Sequence, residues 1–147
     1  MNRRRGSVLI EMALSATLVA AILVGIVQLG YVQSSIDKLQ VALRAGALYG
    51  SRIPYQARSG PCLDRLRDGV RRMVVYGAPE GEAGSVIPGL APEHVVVDYV
   101  ADEKGVPREI RVAVRDFGLE VGLAHAPLSA AVTLPYRGRY APTECRP

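Results

Sequence analysis

The most regular feature of the hydropathy pattern is a run of 25 residues, Met12 to Ile36, without a single charged side chain. As an α-helix it is about 37 Å long at about 1.5 Å per residue. That exceeds the ~30 Å hydrocarbon core of a bilayer, so the segment can span with some tilt. It is also longer than the ~7–15 residue apolar core of a removable signal peptide. Ser15, Ala16, Ala20 and Ala21 nevertheless offer small-residue cleavage sites, which keeps a released product open as an alternative. Helical periodicity then continues from Ser35 to Ser51, where Ile36, Leu39, Leu43, Gly46, Ala47 and Gly50 fall on one stripe. The outer half of that stripe is small, so another backbone or a sheet can approach it closely. Asp37, Lys38, Gln40 and Arg44 take the other faces, and Ile53-Pro54 ends the helix.

Arg58-Ser59-Gly60-Pro61 reads as a turn. A second helix follows, with Leu63, Leu66, Val70, Met73 and Val74 on its apolar side and Arg65, Asp68, Arg71 and Arg72 facing outward as a solvated face. It stops near Gly77 and Pro79. Ala78 to Gly89 reads as a surface loop without regular structure, and no lysine or following helix makes its glycines a phosphate cradle. The period then changes to two. Val95 to Val100 is a β-branched run, Asp102-Glu103-Lys104-Gly105 a turn, and Glu109 to Arg115 alternates strictly, with Ile110, Val112 and Val114 on one side. Leu128 to Tyr136 repeats the alternation with Ala130, Val132, Leu134 and Tyr136 inward, and Pro135 puts its end at a sheet edge. Three strands must cover their apolar face, and the two helices are the available cover. The expected class is therefore α+β: one N-terminal membrane-spanning helix extended into a small head with a second helix and a three-stranded antiparallel sheet. Residues 1–6 form a leader, 7–36 the membrane helix and 37–147 the head. Within the head, 37–53 is the helix extension, 62–77 the second helix, 93–136 the sheet and 137–147 a polar tail.

Charge changes this picture little. The chain carries a net +4 at pH 7, from 18 basic and 14 acidic residues. Arg3, Arg4 and Arg5 account for most of that excess, so the head is near neutral, and with no Trp it has no basic-aromatic surface for nucleic acid. The three arginines before the apolar run predict a cytoplasmic N-terminus and an exported head. The two cysteines, Cys62 and Cys145, match no metal spacing; outside the cytoplasm they form one disulfide or remain two separate buried thiols. His94 and His125 lie in different segments and read as surface or loop residues. Ser, His and Asp are scattered without a nucleophile elbow, so no enzyme, cofactor or small-molecule substrate is expected.

Glu11 is the anomaly, a carboxylate at the mouth of an apolar helix. At mid-membrane an ionised carboxylate costs about 2.5–3.5 kcal/mol on insertion scales, and less near an interface. It either lies among lipid headgroups or meets a partner charge. If the bond between Gly6 and Ser7 is cut, Ser7 becomes an amino terminus and Glu11 the fifth residue, able to pair with the new cation of a neighbouring subunit.

That order of residues resembles the TadE-like pseudopilins of the tight-adherence (Flp pilus) apparatus. Arg5-Gly6-Ser7-Val8-Leu9-Ile10-Glu11-Met12-Ala13-Leu14 is similar to the family's R-G-x-x-x-x-E-F-A-L opening, with Met12 in place of the aromatic. Gly25 to Gly30 is similar to its G-I-I-E-F-G segment, with Gln28 at the acidic position, and Arg44 to Tyr49 resembles R-x-G-A-R-Y. Val74 to Gly77, Pro88-Gly89-Leu90 and Ala131 to Tyr136 resemble later landmarks. The resemblance implies a type IV pilin-like architecture and a minor pilin-like subunit of the bacterial inner membrane. A prepilin peptidase would cut it after Gly6, and it would work with other pilin-like subunits, the assembly platform and membrane lipid. The competing readings are a membrane-tethered binding domain that is not processed, and a secreted enzyme.

Overall fold

The computed structural model describes residues 3–54, 61–82, 84–103, 106–121 and 124–139. Cys145, the tail beyond Arg139 and the turn at 58–60 lie outside the described residues. Helix α1 (Arg3–Arg52) runs unbroken for 50 residues, about 75 Å. It is followed by α2 (Pro61–Tyr76), a single 3-10 turn (Pro92–His94), and strands β1 (Val95–Ala101), β2 (Pro107–Val121) and β3 (Ala124–Pro135). The strands form one antiparallel sheet in the order β1-β2-β3. The α+β expectation is met in this form: a long apolar N-terminal helix, a second helix and a three-stranded sheet.

The stripe on the second half of α1 is buried as its spacing requires. Leu39, Leu43 and Ala47 are almost fully enclosed, together with Val70 and Val74 of α2 and Val97, Ile110 and Val112 of the sheet. Each fully buried leucine contributes about 1.5–3 kcal/mol of transfer free energy. Gly46 and Gly50 are the points of closest approach. A Cβ at Gly46 would overlap Val74 Cγ2, and one at Gly50 would overlap Ile110 Cδ1. α1 lies against β2 and β3, and α2 lies against α1 and β1.

Three readings need correction. β2 does not end near Arg115 but continues to Val121. Val114 pairs with Ala130 and Phe117 with Leu128, so Arg115 and Asp116 together oppose one residue of β3. This bulge, with Asp116 at φ 54°, shifts the inward phase from Ile110, Val112 and Val114 to Phe117, Leu119 and Val121. β3 correspondingly begins at Ala124, not Leu128.

The loop after α2 is not merely surface. Val86 N–H donates to Val75 O (2.8 Å), and Ile87 and Leu90 are buried in the core. Between them Pro88-Gly89 makes a tight turn closed by Leu90 N–H to Ile87 O (3.1 Å), with Gly89 at φ 82° as the third residue of a type II turn requires. Arg71, finally, faces solvent only in part: one end of its guanidinium pairs with Asp68 (3.0 Å). Its Nε donates to Val95 O (3.1 Å) and ties α2 to the first residue of β1.

Gly46→Ala should destabilise the head. Helix propensity favours alanine by about 1 kcal/mol, but forcing a methyl against the stiff Val74 side chain costs about 1–3 kcal/mol, for a net loss of about 1 kcal/mol. Val41→Ala, on the exposed side of α1, should change stability by less than about 0.5 kcal/mol. Urea denaturation of the detergent-solubilised full chain, followed by near-ultraviolet circular dichroism, checks both.

Candidate functional site

The N-terminal half of α1 carries the residues singled out by the sequence. Arg3, Arg4, Arg5, Gly6 and Ser7 form its first helical turns. From Val8 to Leu29 the large apolar side chains are all more than half exposed, Leu9 and Leu29 among them. The helix is long and apolar enough to cross a membrane, and none of its apolar window is buried inside the protein. Two of its hydroxyls are satisfied within the helix: Thr17 Oγ1 donates to Leu14 O (2.8 Å) and Ser35 Oγ to Tyr31 O (2.9 Å). Glu11 is exposed on this helix, and among the described residues it has neither a hydrogen-bond nor an ion-pair partner. A carboxylate on an exposed apolar helix needs a counter-charge or water, and the described residues supply no counter-charge.

Toward the C-terminal half of α1, α1 and α2 enclose an apolar groove of about 670 Å³ that reaches from Gly30 and Ser34 past Val41 to Met73 and Val86. Asp37 and Lys38 line it as well. A smaller cleft continues it past Ala45, Leu48 and Met73 toward Pro54. The groove therefore begins inside the uncharged run and ends in the head, along one side of α1.

The far end of α1 is held by the sheet. A helix terminus leaves its last carbonyls without intrahelical partners. Here Gly50 O accepts from Tyr99 Oη (3.3 Å), Ser51 O from Arg137 N–H (2.9 Å) and Ile53 O from Tyr136 Oη (2.7 Å). The Tyr99 and Tyr136 rings meet edge to face with centroids 6.1 Å apart. Sequence reasoning placed Tyr136 inward but missed this clasp. The only signal was the presence of two tyrosines on strands whose other inward positions are aliphatic.

The remaining candidates have structural occupations. His94 Nδ1 accepts from Ala91 N–H (3.1 Å), and its ring packs on Phe117. His125 sits across from Glu120, with its ring over Gly118. Among the described residues no three His, Cys, Asp or Glu side chains come together as a metal cluster. The buried Ser51 hydroxyl donates to Leu48 O (2.9 Å). Ion pairs such as Arg72–Glu82 (3.1 Å) are solvent-exposed and contribute at most about 1 kcal/mol each. Cys62, in the first turn of α2, is disulfide-bonded; Cys145 lies outside the described residues.

Comparisons with protein-family models, curated proteins and solved structures found no match for this chain.

Tyr136→Phe removes the bond to Ile53 O but keeps the ring, and should cost about 0.5–1.5 kcal/mol. Amide exchange should accelerate over Leu48 to Arg52 in this variant, while exchange at Leu39 to Leu43 stays as in the parent. Hydrogen–deuterium exchange by mass spectrometry of the two peptides reads the difference.

Proposed function

We propose that this chain is a minor pilin-like subunit of a Flp-type tight-adherence apparatus. In this reading a prepilin peptidase cuts between Gly6 and Ser7. The apolar part of α1 anchors the product in the bacterial inner membrane, and the head lies on the extracytoplasmic side. Other pilin-like subunits and the assembly platform are the partners, and the function is to start or regulate pilus assembly.

The observation that carries the proposal is Glu11: a carboxylate without a partner among the described residues, on an exposed apolar helix, five residues beyond a glycine that follows three arginines. Two further features support it. The apolar window of α1 is left wholly uncovered by the head, so burial of this surface falls to lipid and neighbouring helices. The groove between α1 and α2 continues that uncovered surface into the head, where a neighbouring helix can follow it. Within an apolar bundle, Glu11 paired with the Ser7 amino group of a neighbour neutralises two charges that would each be costly alone.

The test has two parts. Intact-mass analysis of the membrane form, coexpressed with a prepilin peptidase, should show loss of Met1 to Gly6 and a free or methylated Ser7. An uncut N-terminus would instead favour a membrane-tethered binding domain. Glu11→Ala should still be cut but should lower pilus number by about tenfold or more, the effect of losing ~1.4 kcal/mol per pairing. Normal pilus number in that variant would leave Glu11 an idle headgroup-level carboxylate.

A further inference from the structure

β3 is an edge strand of 12 residues without one Asp, Glu, Lys or Arg. Edge strands of this length are normally blunted by charge, cover or a bulge that turns them away. The direction of its free backbone groups follows from one bond. Tyr136 N–H donates to Arg108 O (2.7 Å), in register with the pairs Ile110–Leu134, Val112–Val132 and Val114–Ala130. Neighbouring residues of a strand point their N–H and C=O to opposite sides. Leu134, Val132 and Ala130 therefore face β2, while Pro127, Ser129, Ala131, Thr133 and Pro135 face the open edge. Both prolines stand where β2 needs no donor. Between them, the N–H groups of Ser129, Ala131 and Thr133 point outward without a partner among the described residues.

A second observation lies beneath the same edge. Leu128, Val132 and Leu134 are only half-buried, and Leu48 of α1 is 47% exposed. A cleft of about 150 Å³ runs between Leu48, Ser51, Arg52, Leu134, Pro135 and Arg137. Its two arginines make no ion pair among the described residues.

We propose that β3 receives an extended strand from a partner protein, with apolar side chains at alternate positions and a carboxylate at the end that meets Arg52 and Arg137. The three outward N–H groups and the carbonyls beside them supply the ladder, and the alternate apolar side chains continue the inner face of the sheet over Leu48. A second copy of this chain in the same membrane does not fit. Antiparallel pairing of two β3 strands has its two-fold axis perpendicular to the sheet. α1 lies along the face of that sheet, so the axis would send the two apolar N-terminal segments in opposite directions. Arg52 lies about 24 Å along α1 from Ile36, so the partner is reached well clear of the uncharged segment. The surface is independent of whether the bond after Gly6 is cut.

The test uses the full chain in detergent micelles. Its probe is a seven-residue acetylated and amidated peptide that begins with glutamate and then alternates threonine and valine, which puts the carboxylate on the same face as the valines. The control peptide begins with lysine. Residue-resolved hydrogen–deuterium exchange should show the Ser129, Ala131 and Thr133 amides slowed about tenfold or more at saturating peptide. Ala131→Pro removes the central outward donor and no bond to β2. It should keep the parent circular dichroism spectrum and weaken binding by about tenfold, the scale of one lost ladder bond. Arg137→Glu should reverse the preference between the two peptides. Unchanged amide exchange, or equal binding by Ala131→Pro, overturns the proposal. So does protection of the three amides without peptide: rising with protein concentration it means a second copy, and constant it means a segment of the chain's own.

Discussion

At Gly46 and Gly50 the backbone of α1 meets Val70, Val74 and Ile110 with no room for a Cβ, and the architecture of the head follows from that contact. A sheet of three strands cannot bury its apolar face by itself. α2 alone covers one side of it, resting on β1. Only when α1 comes close enough to touch both α2 and the central strand do Val70, Val74, Ile110 and Val112 all leave water. A larger residue at either glycine would lift the helix away from the whole layer, so the cost would spread well beyond one methyl group.

The same helix has to satisfy two environments. Up to Leu29 it presents apolar side chains in every direction, and beyond Ile36 it presents a stripe. Because it is unbroken from Arg3 to Arg52, any force on the N-terminal segment is passed to the head through one rigid rod. The head answers with a grip at the far end. Tyr99, Tyr136 and Arg137 hold the last carbonyls, and the glycine contacts hold the middle. These are directional bonds to an element that would otherwise be free to slide along its own apolar stripe. Their partners come from β1 and from the residues just beyond β3, so the two outer strands of the sheet both bear on the end of α1.

Much of this was readable from residue spacing. The uncharged run, the stripe through Leu39, Leu43 and Ala47, and the alternation at Ile110, Val112 and Val114 each predict the element and the face that the structure contains. The failures have local causes. Alternation is blind to a bulge, because Arg115-Asp116 breaks the period although both sides of the break belong to one strand. Composition is blind to two anchors in a loop rich in glycine and proline, so Ile87 and Leu90 were lost in the polar average around them. Arg71 has the charge of a surface residue, and its bond to the Val95 carbonyl depends on a neighbour 24 positions away. Of the candidate site, the exposure and isolation of Glu11 could be anticipated. The clasp at the end of α1 could not, since it joins three segments that only the fold brings together.

The prolines of β3 sharpen what an edge can mean. Proline in a strand usually signals an edge made unattractive to pairing. Here Pro127 and Pro135 share the parity of the outward-facing groups, so they spare every bond to β2 and delimit a window of three donors. Neither lies within that window. A strand protected against arbitrary pairing would carry a charge or a proline at its middle, where Ala131 stands. The central outward positions are instead Ser129, Ala131 and Thr133, all small and uncharged, which lets another backbone come close. The groove at the other end of the head obeys a different rule, because it opens from a helix that is already apolar on all sides. On the proposed readings, helix packing follows the groove between α1 and α2 and strand pairing follows β3, and the two surfaces meet at Leu48 and Arg52, which line both clefts.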